Sequence, residues 1–381
     1  MRTLAVVGGG VIGLAVAWRA ARAGWQVTLS DPAVASGASW VAGGMLAPLS
    51  EGWPGEDAVL DFGAAALARW PEFGAELTAV FGESVFVADA TVTVAMDGAD
   101  TADLRTIGEW VGERGHELGW LDRAGVRELE PMLARTVRAG LLSPTESAVD
   151  NRRVVEALRR AATTAGVEFR AESVDSLTAL PHDRVVLAAG AHSARLWPRL
   201  PVRPVKGEIL RLARRPGVTP PPTRVVRVRA HGRQLYLVPR EDGIVVGATQ
   251  YEAGFDTAVT VAGVRDLIAD AEQVFPGIGE YELREASAGS RPGTPDNLPL
   301  IGALDERVVV AAGHGRNGML TTPLTVDAVL SVLEGTTLPE ARAADPYRFA
   351  TANSASTTRP QTAGQTKIHG PSHFSSVGGI R

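Results

Sequence analysis

Leu4-Ala5-Val6-Val7-Gly8-Gly9-Gly10-Val11-Ile12-Gly13-Leu14-Ala15 is an apolar run broken by glycines, and it resumes in a helical pattern that lasts to Gly24. Gly8, Gly10 and Gly13 stand at the spacing of a dinucleotide fingerprint. Gly8 permits a tight turn, and Gly10 lets the backbone at Val11 and Ile12 approach a pyrophosphate. Gly13 lets a helix pack closely on the preceding strand, and the helix N-terminus brings positive potential to the phosphates. Trp25-Gln26-Val27-Thr28-Leu29-Ser30 reads as the next strand and ends on Asp31, a carboxylate placed to accept hydrogen bonds from a ribose. The fold class expected from this stretch is α/β, opening on a βαβ unit. Asp31 suits a nicotinamide dinucleotide as well as a flavin one, so at this point an NAD-dependent dehydrogenase stays open.

The chain has 381 residues, 45% of them hydrophobic and 21% charged, enough to bury a large core and to form two domains. Its net charge of −5 speaks against nucleic acid or an anionic membrane as partner, since either needs a positive field. The arginines at 203, 211, 214, 215, 224, 227, 229 and 233 alternate with apolar residues and read as solvated strand faces. Cysteine is absent, which removes disulfides, thiolate chemistry and any cysteine tether for a cofactor. Leu4 to Trp18 superficially resembles the apolar core of a signal peptide, but its glycines fit the strand-turn-helix reading better. No stretch reaches the roughly 20 apolar residues that a bilayer demands. A soluble, cytoplasmic protein is expected.

After the first unit comes the small-residue loop Ser36-Gly37-Ala38-Ser39-Trp40-Val41-Ala42-Gly43-Gly44-Met45-Leu46, whose glycines allow close approach to a flat ligand. Val59, Phe62, Leu67, Trp70, Phe73, Leu77 and Val80 recur at helical spacing and predict a helix with a core-facing stripe. The alternation from Val85 to Val94 predicts strands. Arg152 to Ala165 predicts a helix and Val167 to Ala171 a strand. Arg184 to Ala191 predicts a buried strand ending on the glycine turn at Gly190. Antiparallel strands are expected between Val202 and Gly247, a helix over 261–275, and a buried strand over 307–313. A last helix is expected from Pro323 to Leu333. The pattern divides the chain into a discontinuous nucleotide domain (1–82, 148–200, 290–349) and an antiparallel-sheet α+β domain (83–147, 201–289). The Ser/Thr/Gly-rich tail at 350–381 is expected to be disordered.

The fingerprint with Asp31, the loop Ala42-Gly43-Gly44-Met45, the turn at Gly190, Arg291-Pro292-Gly293-Thr294-Pro295-Asp296 and Gly313-His314-Gly315-Arg316-Asn317-Gly318 occur in this order. Together they resemble the FAD-dependent amine and D-amino-acid oxidase superfamily, most closely its glycine oxidases of thiamine biosynthesis. The resemblance covers about residues 2–349. It implies a Rossmann-type FAD-binding domain beside a substrate domain, with non-covalent FAD. The pyrophosphate would lie over Gly8 to Gly13 and the ribose on Asp31, with the adenine by Val174 and the Gly190 turn nearby. The flavin ring would lie between Ala42, Gly43, Gly44, Met45 and Leu46 on one side and Gly313, His314, Gly315, Arg316, Asn317, Gly318, Met319 and Leu320 on the other.

Carried onto matching positions, the resemblance makes Arg291 the partner of a substrate carboxylate, Tyr236 a hydroxyl donor to it and Arg316 a second cation by the flavin. No acid or base is required: a neutral amine loses hydride to the flavin, and the imine hydrolyses to a 2-oxo acid and ammonia. O2 becomes H2O2. For glycine, and for small amines such as sarcosine, the keto product is glyoxylate, and the imine would feed thiazole formation. Gln234 and Gln250 depart from the family pattern, which has His and Met there in some members, so the exact amine stays open. Alternatives are another flavin amine oxidase or dehydrogenase, and a non-catalytic flavin protein that channels imine to a thiazole-synthesis partner. A homo-oligomer is a further open partner. No metal site is expected, because the seven histidines lack ligand spacing.

Overall fold

The opening apolar run forms strand Thr3–Val7, buried from Leu4 onward, and helix Val11–Arg22 follows on the glycine turn. Gly8 adopts φ +108°, a conformation that costs other residues energy. A Cβ at Gly13 would overlap the carbonyl oxygen of Gly8, so the fingerprint sets how closely helix and strand approach. The structure is a computed structural model that describes residues 2–230 and 233–349. The tail expected to be disordered lies outside the described residues. Contacts gather the described residues up to Pro346 into one compact unit.

The first sheet runs in the order Leu300–Ala303, Val308–Ala312, Arg184–Leu187, Thr3–Val7, Gln26–Ser30, Glu168–Arg170. Every neighbouring pair is parallel except Leu300–Ala303 with Val308–Ala312. Its central strands Thr3–Val7, Arg184–Leu187 and Val308–Ala312 read as nearly unbroken apolar runs, as strands covered on both faces do. Helix Val11–Arg22 packs on helix Asn151–Thr164 and helix Gly318–Leu333, and Leu14, Val16, Leu158, Leu324 and Val329 share one buried core.

The second sheet orders Glu282–Gly293, Arg203–Ala213, Gly243–Gly247, Arg233–Arg240, Val225–Ala230, Thr91–Ala95, Ala139–Ser143 and Gly119–Asp122. It corrects the fully antiparallel expectation at one seam, where Val225–Ala230 pairs in parallel with Thr91–Ala95. Those strands come from separate passages of the chain, and the long stretch between them can make the crossover a parallel pair needs. The alternating run 85–94 divides between sheets: Phe86–Ala88 pairs with Ser147–Val149 in a small sheet that also holds Met45–Leu46.

Two helices differ from expectation. The stripe from Val59 to Val80 belongs to helices Asp57–Leu67 and Trp70–Phe81, with Val80 exposed. Pro71 lacks an N–H to continue the first helix but suits the opening turn of a second. The last helix begins at Gly318, ahead of Pro323. Burial of its first turns in the core offsets the one hydrogen bond that Pro323 cannot donate. The indole of Trp70 also donates to the carbonyl of Leu320 at 2.8 Å.

Candidate active site

Side chains alternate across a strand, so pairing register decides which of them share a face. Arg227 stands opposite Tyr236, Tyr236 opposite Gly247, and Gly247 opposite Ile209. Gly207 stands opposite Gly289, and Arg291 opposite Val205. Arg227, Tyr236, Gly207 and Arg291 thus share one face of the second sheet, and that face walls a cavity of about 1310 Å³. Gly207 clears the space that the Arg291 guanidinium fills, since a Cβ there would overlap it. Gly43 and Gly247 likewise flank the Tyr236 ring, and a Cβ at Gly43 would come within 2.7 Å of it.

Arg291 donates from Nη1 to the carbonyl of Thr249 at 3.2 Å, and among the described residues no carboxylate pairs with it. Burial pushes the Tyr236 hydroxyl upward in pKa, against the pull of Arg291, so the phenol keeps its proton at neutral pH. Arg316 is differently placed: its Nε donates to Glu51 Oε2 at 2.6 Å, while Arg227 reaches Glu51 Oε1 at 3.3 Å. Burial pushes the Glu51 carboxyl up, but Arg227 and Arg316 outweigh it and hold the group below its ordinary range. Glu51 stays ionised and occupies two of the three arginines.

Glu146 lies fully buried behind this wall. Its Oε1 accepts the backbone N–H groups of Leu49 and Ser50, while Oε2 has no partner. Burial pushes its carboxyl up to about 7, against hydrogen bonds from Ser50 and the charge of Arg227. In the unfolded chain it titrates near 4.5, so between these values the folded protein keeps a proton that the unfolded chain has released. Stability is therefore expected to fall as pH rises from about 4.5 to 7, by on the order of 3 kcal/mol from this group. Glu146→Gln should flatten that slope. Denaturant unfolding at pH 5 and pH 8 checks it, and equal slopes in both proteins would remove Glu146 from the account.

The other end of the cavity begins at the fingerprint. Helix Val11–Arg22 has no acidic residue in its first turn and its N-cap Gly10 has no side chain, so apart from Val11 N, which Ser39 takes, its first-turn donors are left for an anion. Asp31 accepts from Gly9 N and Ala33 N, each at 2.7 Å, and Ser39 Oγ accepts from Val11 N at 2.9 Å. Asn151 donates to the carbonyls of Ser39 and Trp40, and Arg240 donates to that of Gly43 at 2.9 Å. These two residues from outside the motifs hold the 38–44 loop in place. A glycine-lined cavity running from an open helix N-terminus past Asp31 to a glycine loop fits FAD.

Of the expected cofactor residues, Gly8, Gly10, Val11, Ile12, Asp31, Ala42, Gly43, Gly44, Met45, Val174, Gly190 and the segment His314 to Met319 line the cavity. Gly13, Leu46, Gly313 and Leu320 stand one layer behind: Leu46 and Leu320 are core residues, and Gly313 packs on Thr294. His314 is buried, bonds Thr325 Oγ1 at 3.0 Å, and burial depresses its pKa to about 3, so it tethers the loop as a neutral ring.

The solvated reading of the strand arginines needs correction at Arg227 and Arg211. Arg227 is buried against Glu51 and Ser50, and Arg211 donates to Asn151 Oδ1 at 2.8 Å. Glu51, Gly207 and Glu146 escaped the sequence reading, and Arg227 was misread, because no motif holds them; Gly207 and Arg227 share a face with Tyr236 and Arg291 only once register is known, and Glu51 and Glu146 lie outside the strands and carry no periodic signal. Among the described residues no helix is long and apolar enough to cross a membrane.

A family model described as FAD dependent oxidoreductase (DAO) matches residues 3–329. The chain is 33% identical over 390 residues to the "Bifunctional protein ThiO/ThiG" of Synechocystis sp., covering 96% of this chain and 57% of that one. It thus spans little more than half the length of that relative. It is also similar to the glycine oxidase of Geobacillus kaustophilus, 32% identical over 356 residues, covering 87% of this chain and 92% of the relative. The crystal structure of glycine oxidase from Geobacillus kaustophilus matches at a TM-score of 0.84 with 29% identity, covering 91% of this chain and 99% of that one.

Proposed function

This chain belongs to the DAO family of FAD-dependent oxidoreductases, and from that premise we propose that it oxidises glycine, and small amines such as sarcosine, to the imine. The glycine imine hydrolyses to glyoxylate and ammonia, the sarcosine imine to glyoxylate and methylamine, and O2 is reduced to H2O2. The observation that carries this reading is the charge pattern of the cavity wall: Glu51 engages Arg227 and Arg316, which leaves Arg291 open to a carboxylate beside the Tyr236 hydroxyl.

FAD, when bound along the fingerprint and the 42–45 loop, supplies the two-electron acceptor and the route of those electrons to O2. Arg291 offers a planar fork that can bind a carboxylate in one orientation, and Tyr236, neutral at working pH, donates a hydrogen bond to it. Holding the carboxylate fixes where the substrate Cα–H points, and a dry wall keeps water from competing with that alignment. The helix that starts at Gly318 brings N-terminal donors and no acidic residue to the cavity, favouring negative charge that builds there. The similarity to a chain named for both ThiO and ThiG supports a role in which the imine passes to a thiazole-forming partner.

The purified protein should be yellow and should release FAD on denaturation, because no cysteine is present to tether it. Anaerobic glycine should bleach the flavin bands, and air should restore them with H2O2. Reduction by bulky amino acids or α-hydroxy acids alone would overturn the small-amine reading.

A further inference from the structure

Glu146 is a fully buried carboxylate that touches neither the cavity nor any partner charge within ion-pair distance among the described residues. It sits between strands Ala139–Ser143 and Ser147–Val149, and it grips a different passage of the chain through the N–H groups of Leu49 and Ser50. That passage is irregular, so no sheet or helix bond would otherwise fix it. Ser50 Oγ accepts from Arg227 Nη1 at 3.1 Å, and the next residue is Glu51, which reaches Arg227 and Arg316. One carboxylate behind the wall therefore sets the position of another within it.

We propose that Glu146 is a positioning residue for substrate selection: it fixes Leu49–Glu51 so that Glu51 balances Arg227 and Arg316 and leaves Arg291 as the cation that a substrate carboxylate meets. The proposal rests on the reading that this cavity takes a small carboxylate. Three guanidiniums without Glu51 would attract any small anion, since charges in a water-poor site act strongly over several ångströms. With Glu51 in place the wall carries a carboxylate next to its cations, which suits a molecule bearing both an amine and an acid. Releasing the 49–51 segment should therefore raise affinity for a bare anion. A role in stability alone would not do this, because loosened packing weakens binding.

Acetate, a carboxylate without an amine, is the probe, titrated against the FAD-loaded protein and followed by perturbation of the flavin spectrum. Glu146→Met keeps the volume and removes the acceptor; it should bind acetate about tenfold more tightly than wild type, a shift of about 1.4 kcal/mol. Glu51→Gln should do likewise, and the double variant should gain no more than either single one, as expected of residues acting through one contact. Glu146→Gln keeps the carbonyl acceptor and should behave as wild type. Unchanged or weaker acetate binding by Glu146→Met, or additive gains in the double variant, would overturn the proposal. Should Glu146→Met not fold, the same titration of Glu51→Gln decides, since unchanged affinity there leaves Glu146 nothing to act through. The titration involves no turnover, so a wild type that binds acetate but is not bleached by glycine would count against the glycine reading and not against this one.

Discussion

Arg291→Ala should keep its fold and its FAD and lose most oxidation of glycine. A charge-assisted bond to a carboxylate is worth about 1.5–3 kcal/mol, which corresponds to a loss of affinity of roughly tenfold to several hundredfold. The rate of flavin reduction should fall as well, because the same contact aims the Cα–H. The structure adds a reason to expect little collateral damage: the guanidinium lies over Gly207, donates to the Thr249 carbonyl and lies beside the Tyr236 hydroxyl, and no carboxylate among the described residues forms an ion pair with it that truncation would break. A simple amine without a carboxylate should be far less affected. Stopped-flow reduction with glycine and with ethylamine separates these effects. Equal losses for both substrates, or normal glycine affinity, would reassign Arg291 to structure.

Gly13→Ala should strike the other end of the cavity and the fold together. Its Cβ would overlap the Gly8 carbonyl oxygen and come 3.5 Å from Ala188 Cβ, so the helix must move off the strand that supports it. Overpacking of this kind costs about 3 kcal/mol, and the displaced helix N-terminus would present its donors wrongly to a pyrophosphate. A loss of FAD affinity of at least about a hundredfold is expected, since it needs only about 2.7 kcal/mol of lost interaction. Gly24→Ala is the control. Gly24 has φ +87° with nothing near its missing Cβ, so alanine there meets only backbone strain of about 1–2 kcal/mol and should leave FAD binding intact. Flavin fluorescence titration of the apoproteins, with urea unfolding alongside, tells the two apart. Wild-type FAD affinity in Gly13→Ala would refute the packing argument.

The sequence by itself determined the nucleotide half of this protein. Spacing is local there: Gly8, Gly10 and Gly13 lie within one turn and one helix start, Asp31 ends the next strand, and the glycine pair Gly43-Gly44 sits in one loop. Apolar runs such as Val185 to Leu187 and Val308 to Ala312 are equally direct, because strands buried on both faces have no polar alternation to interpret. Single-chain patterns were less informative where tertiary packing overrode them, as at the break before Pro71 and the early start of the helix containing Pro323.

The cavity-facing side of the second sheet was decided by the tertiary structure. Arg227, Tyr236, Gly207 and Arg291 come from four strands, and only their register puts them on one face, since a slip of one residue would turn any of them to the opposite side. The sequence could name Arg291 and Tyr236 through motif resemblance. It could not distinguish a solvated arginine from Arg227, whose buried partner Glu51 lies far away in the chain, nor foresee that Glu146 would hold that partner in place. Charge compensation between distant residues depends on distances of a few ångströms, and these exist only after the sheet has formed.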